Sequence, residues 1–230
     1  KLFPHERQTH ALIDTTNNAN NLNYTDDYLE LCGLVEKVLP KHKSFAPPIY
    51  FIKIALLLSF SLLLEAYIHY NAAYNWYLCA VMGFCYALIG LNIQHDANHG
   101  AISKFSIVNR IFGMTQNWIG GSAISWIHQH VVQHHIYCND LHADPDVQGG
   151  NMIRLNPLKA LKSNQVYQYI YTFILIAGFG FSVVVTSLRD TLQGKNFKPM
   201  AKALTNTHQT FEFFTSMVFL CRWIGLPCIS

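Results

Sequence analysis

The chain has 230 residues, of which 51% are hydrophobic and only 13% are charged, whereas soluble domains average about 25% charged residues. This composition excludes a disordered chain, and ordinary glycine and proline contents exclude a collagen-like one. The six cysteines form no Cys-x-x-Cys pair, which excludes a disulfide scaffold. A net charge of +3 is too small to favour nucleic-acid binding. The unusual count is that of histidine, with 12 residues.

The first 48 residues are predicted to form a separate N-terminal region. Residues 11–25 are polar and rich in asparagine, which is typical of a linker. From Asp26 to Leu39 the apolar side chains recur at helical spacing, which predicts an amphipathic helix. Prolines then break the chain before a long apolar region begins. We therefore predict two domains, a linker with an amphipathic helix (1–48) and a membrane domain (49–230).

Four apolar stretches follow, each long enough to be a membrane-span candidate. They are Phe51–Tyr70, Trp76–Ile93, Tyr167–Leu188 and Phe211–Ser230. A single such stretch is as typical of a buried core helix, but four of them flanked by Tyr and Trp favour a membrane protein. The predicted fold class is therefore all-α, with about four membrane helices and a histidine-rich helical region outside them.

The first two stretches are joined by only Asn71–Asn75, which predicts a helical hairpin. That turn contains no Lys or Arg, whereas the segments on either side of the hairpin are basic, so both flanks are predicted to be cytosolic. The loop between the last two stretches also contains Arg189, Lys195, Lys198 and Lys202. These residues would face the lumen if all four stretches crossed the membrane. The sequence therefore leaves open whether one of the last two stretches lies in the interface.

Seven histidines fall between residues 95 and 142, mostly in two clusters. His95 and His99 are four residues apart, which on a helix places both imidazoles on one side. His130 and His134 repeat this spacing, and His135 follows, rotated by about 100° on an α-helix. Pairs at this spacing are typical of ligands to a metal ion.

The number and type of ligands limit the kind of metal site. Neutral imidazole suits Zn, Cu, Fe and Ni, and five imidazoles exceed what one tetrahedral ion needs. The chain contains no Glu-x-x-His sequence of the kind used by soluble di-iron bundles. Any site with several metal ions is therefore predicted to be rich in histidine.

The two clusters, with their order and flanks, resemble the first two histidine boxes of the membrane fatty-acid desaturases. The resemblance covers roughly residues 26–230 and is strongest to the front-end acyl desaturases. It depends on the segment 94–100, on Trp126 before the second box, and on Asn139-Asp140 and 143–147 after it. Front-end enzymes insert a double bond between an existing one and the carboxyl end of a polyunsaturated acyl chain.

The resemblance implies two iron ions, O2 as co-substrate and electrons from cytochrome b5 and its reductase. The implied substrate is a fatty-acyl lipid or acyl-CoA, and the implied location is the endoplasmic reticulum membrane, with the boxes facing the cytosol. The residues that match the ligand positions are His95, His99, His130, His134 and His135. Asp96 matches the acidic residue beside the first ligand and is expected to support it, and His128, outside the box pattern, is a further candidate for the site. His142, Asp144 and Asp146 could orient ligands, although Asp-Pro-Asp is typical of a turn.

Two departures from the family pattern stand out. No third box, Gln- or His-x-x-His-His, follows His142, where the only later histidine is His208, and no His-Pro-Gly-Gly haem motif of a fused cytochrome b5 domain is present. The expectation is therefore a fragment that does not desaturate by itself.

Other functions remain open at this point. A sphingolipid desaturase or a fatty-acid hydroxylase has the same box spacing. A zinc metalloprotease would use His95-Asp96-x-x-His99 in place of His-Glu-x-x-His, and a haem protein would use paired histidines as axial ligands. The double-bond position, the acyl chain length and the acyl carrier are not encoded in these motifs.

Overall fold

The structure, a computed structural model, describes residues 23–40, 43–148, 152–193 and 206–229. Throughout these ranges the ordered elements are helices, without a strand, so the predicted all-α class is confirmed. The chain divides into two units at Phe45 and Ala46. In the first unit, α1 (Asn23–Val38) is the helix expected from the apolar spacing. The predicted linker lies largely outside the described residues, and the division into domains 1–48 and 49–230 stays a prediction.

Within the described ranges the second unit contains seven helices besides the single 3-10 turn Pro145–Val147. In chain order they are α2 (Pro48–Tyr70), α3 (Trp76–Asn98), α4 (Ser106–Gly113), α5 (Thr115–Trp118), α6 (Ala123–Trp126, Ile127–His134 and His135–Tyr137), α7 (Ser163–Gln193) and α8 (Asn206–Leu220, Cys221–Gly225 and Leu226–Ile229). Four helical spans in this part of the chain are long and apolar enough to cross a membrane, namely α2, α3, α7 and residues Gln209–Ile229 of α8. About four such helices were predicted, and this prediction is confirmed.

In the second unit, α2 and α3 form a helical hairpin. Asn75 begins α3 by accepting a hydrogen bond from the backbone N–H of Leu78 at 3.1 Å, which satisfies one of the free N–H groups of the first turn. The two helices pack through buried apolar side chains, with Ile54 of α2 against Ile89 and Ile93 of α3. Since the helices are antiparallel, the start of α2 lies beside the end of α3, where the first histidine cluster begins.

Both histidine clusters are associated with π-helical turns. Residues Ile89–Gln94 of α3 are π-helical and lead directly into the α-helical turn that begins at His95. The middle of α6, Ile127–His134, is also π-helical. A π-helix forms its hydrogen bonds from residue i to i+5, so each turn holds more residues than an α-helical turn. The side-chain directions in these segments therefore differ from those of the α-helix that the spacing predicts.

The segment between the clusters is held by the last span. Gly120 has φ +97°, and a Cβ there would lie 2.7 Å from the Phe219 ring of α8, so only glycine fits without strain. Asn117 donates a hydrogen bond from Nδ2 to the buried carboxylate of Glu212 at 2.8 Å. These contacts place α8 directly against the chain that leads into the second histidine cluster. The loop of residues 194–205, which raised the question of orientation, lies outside the described residues.

A buried ion pair joins the first and last spans. Arg222 of α8 donates from Nη2 to Glu65 of α2 at 2.5 Å and to Tyr86 of α3 at 2.8 Å. It also donates from Nη1 to the Trp118 carbonyl at 3.0 Å and stacks on the Trp118 indole. Because each charged group has several partners, the pair is accommodated in an apolar bundle.

Candidate metal centre

The first cluster lies on the helical turn that follows the π-helical part of α3. The His95 and His99 rings are 4.7 Å apart between centroids, as their i, i+4 spacing predicts. Nδ1 of His95 lies 3.0 Å from Oδ1 of Asp96. With the proton on Nδ1, the ring donates to this carboxylate and leaves Nε2 free to bind a metal.

The second cluster is shaped by the π-helical turn of α6. His134 stacks on His130 at 5.2 Å, and His135 lies still closer to His130, at 4.8 Å between centroids. The α-helical rotation assumed for His135 in the sequence does not apply, because residue i+5 returns beside residue i in a π-helix. Both His134 and His135 therefore lie next to His130.

The fold brings the two clusters into contact. His99 lies 5.3 Å from His130 and 4.9 Å from His135, and His95 lies 5.4 Å from His130, all between ring centroids. We call the resulting group the five-histidine cluster; it comprises His95, His99, His130, His134 and His135. Possible ligand atoms of His95, His99 and His130 all lie within 4.8 Å of one another.

A second group of possible ligand atoms adjoins the first. It combines His130 and His134 with Asp146, again within 4.8 Å. His134, Cys138 and Asp144 form a further group of this kind. The donors are mostly imidazoles with carboxylates beside them, a set that suits iron or zinc more than the oxygen-preferring Mg2+ or Ca2+. The residues present therefore fit a histidine-bound metal centre.

Trp126 forms an apolar wall on one side of the cluster. Its ring lies 4.5 Å from His130, 5.5 Å from His95 and 5.6 Å from His99 between centroids. The indole thus contacts histidines of both boxes and covers that side of the cluster with an apolar surface. In the sequence this residue was identified only as a flank of the second box.

Asp144 is the fully buried carboxylate of the centre. Both its oxygens lie about 3 Å from Nδ1 of His134, at 3.0 and 3.1 Å, and the carboxylate accepts backbone N–H bonds from Asn139 and Asp146. Burial alone would raise the pKa of Asp144, but these donors outweigh it and the pKa lies below its usual value. Asp144 is therefore charged and orients the His134 ring.

Burial and mutual repulsion act on the imidazoles themselves. The pKa values of His99 and His130 lie below the usual histidine value, first because burial disfavours the charged ring and then because neighbouring imidazoles oppose a second charge. Lowered pKa values keep both rings neutral near pH 7. Neutral rings are the form that binds metal.

The other candidate site residues from the sequence lie at different distances from the five-histidine cluster. His128 is half-buried on α6 and belongs to none of the ring pairs or ligand groups found among the described residues. His142 is exposed, and its backbone N–H donates to Asp140. Asp146 lies 3.4 Å from Nδ1 of His134 and 3.7 Å from Nδ1 of His130, closer to the cluster than its turn sequence suggested.

One neighbour of the centre has no sequence signal. Tyr50, in the first turns of α2, donates a hydrogen bond to Oδ2 of Asp96 at 2.7 Å. It lies 46 positions before Asp96 and belongs to no motif. Only the packing of α2 against the end of α3 brings it to the site.

The fold and the cluster define a class: a helical membrane protein with a histidine cluster that could hold metal, at the end of its first two spans. Residues 71–229 match the family model described as fatty acid desaturase. The chain belongs to the fatty acid desaturase family, as the two boxes indicated.

Curated relatives are similar over most of the chain. An acyl-lipid (7-3)-desaturase of Rebecca salina is 36% identical over 204 residues, which is 88% of this chain and 45% of that protein. A protein of the same name from Diacronema lutheri is 35% identical over 87% of this chain and 45% of its own length. An sn-1 linoleoyl-lipid 6-desaturase of Arthrospira platensis is 32% identical over 64% of this chain and 40% of its own length.

The chain thus spans less than half the length of these relatives. No solved structure matches it.

Proposed function

We propose that the protein is a front-end fatty-acyl desaturase that introduces a cis double bond into a polyunsaturated acyl chain. The observation that carries this proposal is the contact between the two histidine boxes, with His99 beside both His130 and His135. Five imidazoles in one cluster are more ligands than one ion needs. They support a centre of two metal ions, and the family favours iron.

In the proposed centre the five-histidine cluster holds two iron ions. When bound, they supply the oxidation in which O2, two electrons, two protons and two hydrogens of neighbouring methylenes give a double bond and two water molecules. The residues of the chain bind the metal ions, orient the ligand rings and cover one side of the site. Asp96 and Asp144 accept hydrogen bonds from Nδ1–H of His95 and His134 and so direct Nε2 toward the metal, while Trp126 covers one side of the cluster.

The names of the relatives support a substrate class. Two of them are named acyl-lipid desaturases and one a linoleoyl-lipid desaturase, so we propose a fatty acid esterified in a lipid as substrate, with acyl-CoA as the alternative carrier. Electrons would come from cytochrome b5 and its reductase. The proposed location is the endoplasmic reticulum membrane, with the five-histidine cluster on the cytosolic side.

The hydrolase alternative requires Asp96 as a general base. Here one oxygen of Asp96 lies against Nδ1 of His95 and the other accepts a hydrogen bond from Tyr50. A carboxylate held in this way is suited to orienting a ligand rather than to activating water. The geometry therefore favours the desaturase over the zinc protease.

The test is expression of the complete gene product in a yeast that lacks polyunsaturated lipids. Cells are fed linoleic acid or a longer polyunsaturated acid, and the products are located by mass spectrometry. A new double bond on the carboxyl side of an existing one is expected, with iron rather than zinc in the purified protein. His130→Ala should abolish the product, whereas His128→Ala, outside the cluster, should retain it. Zinc with no new double bond would overturn the proposal.

A further inference from the structure

Tyr50 connects the first membrane span to the first histidine box. Its ring lies near the start of α2, two residues after Pro48, at the end of the span that faces the five-histidine cluster. The hydroxyl donates to Oδ2 of Asp96 at 2.7 Å and lies 3.2 Å from the carbonyl oxygen of Asn92. Lys53, one turn further along α2, donates to Oδ1 of Asn92 at 2.9 Å. Tyr50 and Lys53, both on α2, therefore form hydrogen bonds to the part of α3 that precedes and includes Asp96, beside His95.

The two carboxylates of the centre are supported differently. Asp144 is completely buried and is held by backbone N–H groups of Asn139 and Asp146, which cannot rotate away. The Asp96 side chain is 39% exposed, so water competes for its oxygens. Its fixed protein donor besides the adjacent His95 is the hydroxyl of Tyr50. Without that donor only the contact with His95 would oppose rotation of the carboxylate about its terminal torsion.

We infer that Tyr50 is a positioning residue of the metal centre, which acts on His95 through Asp96. Its hydroxyl holds Oδ2, so that Oδ1 stays opposite Nδ1 of His95 and Nε2 of that ring stays directed at the cluster. This inference rests on the metal centre of the proposed function. It also links metal binding to the packing of α2, since the donor comes from a helix that carries none of the histidines of the cluster.

The test is a thermodynamic cycle on metal binding rather than on activity. The chain and its Tyr50→Phe variant are purified in detergent, stripped of metal and titrated with Co2+ and with Fe2+ against a chelator. Partners of this kind typically change metal affinity by about 10- to 100-fold, and Tyr50→Phe is expected to fall near the lower end, about tenfold. The visible bands of bound Co2+ should broaden or shift as the His95 ring becomes less ordered.

The cycle then separates positioning from a general structural effect. In an Asp96→Ala background, Tyr50→Phe should have no further effect on metal affinity, because the carboxylate through which Tyr50 acts on His95 is absent. Tyr67→Phe, at the exposed far end of the same helix, is the matched control and should leave the affinity and the Co2+ spectrum unchanged.

Two results would overturn the inference alone. One is an affinity of Tyr50→Phe within twofold of the parent chain together with an unchanged Co2+ spectrum. The other is an equal loss on Tyr50→Phe with and without Asp96, which would mean that the ring acts by packing alone. A parent chain that binds neither metal would overturn the inference and the proposed centre together, whereas normal binding by both proteins would overturn the inference only.

Discussion

Arg222 and Glu65 are 157 positions apart, yet their side chains form a paired contact within the bundle, with Nε of Arg222 2.6 Å from Oε1 of Glu65. Glu65 is buried and the Arg222 side chain is 12% exposed, and Tyr86 bridges them by donating to Glu65 and accepting from Arg222. Buried ion pairs add little net stability relative to apolar residues, but removing one partner leaves an uncompensated charge. The pair therefore specifies which spans lie side by side.

Removing one member of this pair should be strongly destabilising. Arg222→Ala is expected to lower the free energy of unfolding by about 3–5 kcal/mol, because Glu65 is left charged and buried. Thermal unfolding in detergent measures the loss. The double variant Glu65→Gln with Arg222→Gln should lose less unfolding free energy than the sum of the losses in Glu65→Gln and in Arg222→Gln. Additive losses would show that the two side chains do not depend on each other.

Asp144 should matter for metal binding because it holds the His134 ring. Asp144→Asn replaces an acceptor of the Asn139 and Asp146 N–H groups with an amide that can satisfy only part of this set. The expected result is metal affinity lowered by about 10- to 100-fold, measured by chelator competition. Glu30→Gln, exposed on α1, is the control. Equal affinities of the parent and Asp144→Asn would contradict the role assigned to this carboxylate.

Acidification should release metal only below the usual histidine pKa of about 6.5. The pKa values of His99 and His130 are lowered in the folded chain, so both rings stay neutral and able to bind at pH values where free histidine is already charged.

The direction in which folding stability changes with pH follows from the same pKa shifts. A lowered histidine pKa stabilises the folded state above the unfolded value, and this contribution is lost as the pH falls through the folded value. Asp144, with its lowered pKa, loses its contribution in the same direction. Metal occupancy measured from pH 8 to pH 4 tests the prediction about metal release. A midpoint of release at or above pH 6.5 would contradict it.

Gly120 should not tolerate a side chain. Alanine there would take a positive φ and place its Cβ 2.7 Å from the Phe219 ring, so Gly120→Ala is expected to cost at least about 2 kcal/mol of unfolding free energy. Gly178→Ala is the matched control, because no atom lies within 4 Å of its added Cβ on α7. That variant should be neutral or gain up to about 1 kcal/mol. Thermal unfolding of both variants checks the difference, and equal melting temperatures would contradict it.

Local patterns determined much of this protein. Apolar runs predicted the hairpin of α2 and α3 and the two later spans, because a helix that crosses a bilayer needs about 20 mostly apolar residues in succession. The ends were less well predicted: α7 runs from Ser163 to Gln193, beyond the apolar stretch 167–188, since polar residues at a span end do not stop a helix. The spacing of His95 and His99 also predicted their contact, because it acts within a single turn.

The tertiary structure decided what depends on contacts between distant segments. The placement of His135 beside His130 results from a π-helical turn, which the i, i+4 pattern does not distinguish from an α-helical one. Tyr50 reaches Asp96, and Arg222 reaches Glu65, only because helices far apart in the chain pack together. Sequence periodicity specifies which side of a helix is apolar, whereas the partner of each polar group is set by packing, over distances that no local pattern encodes.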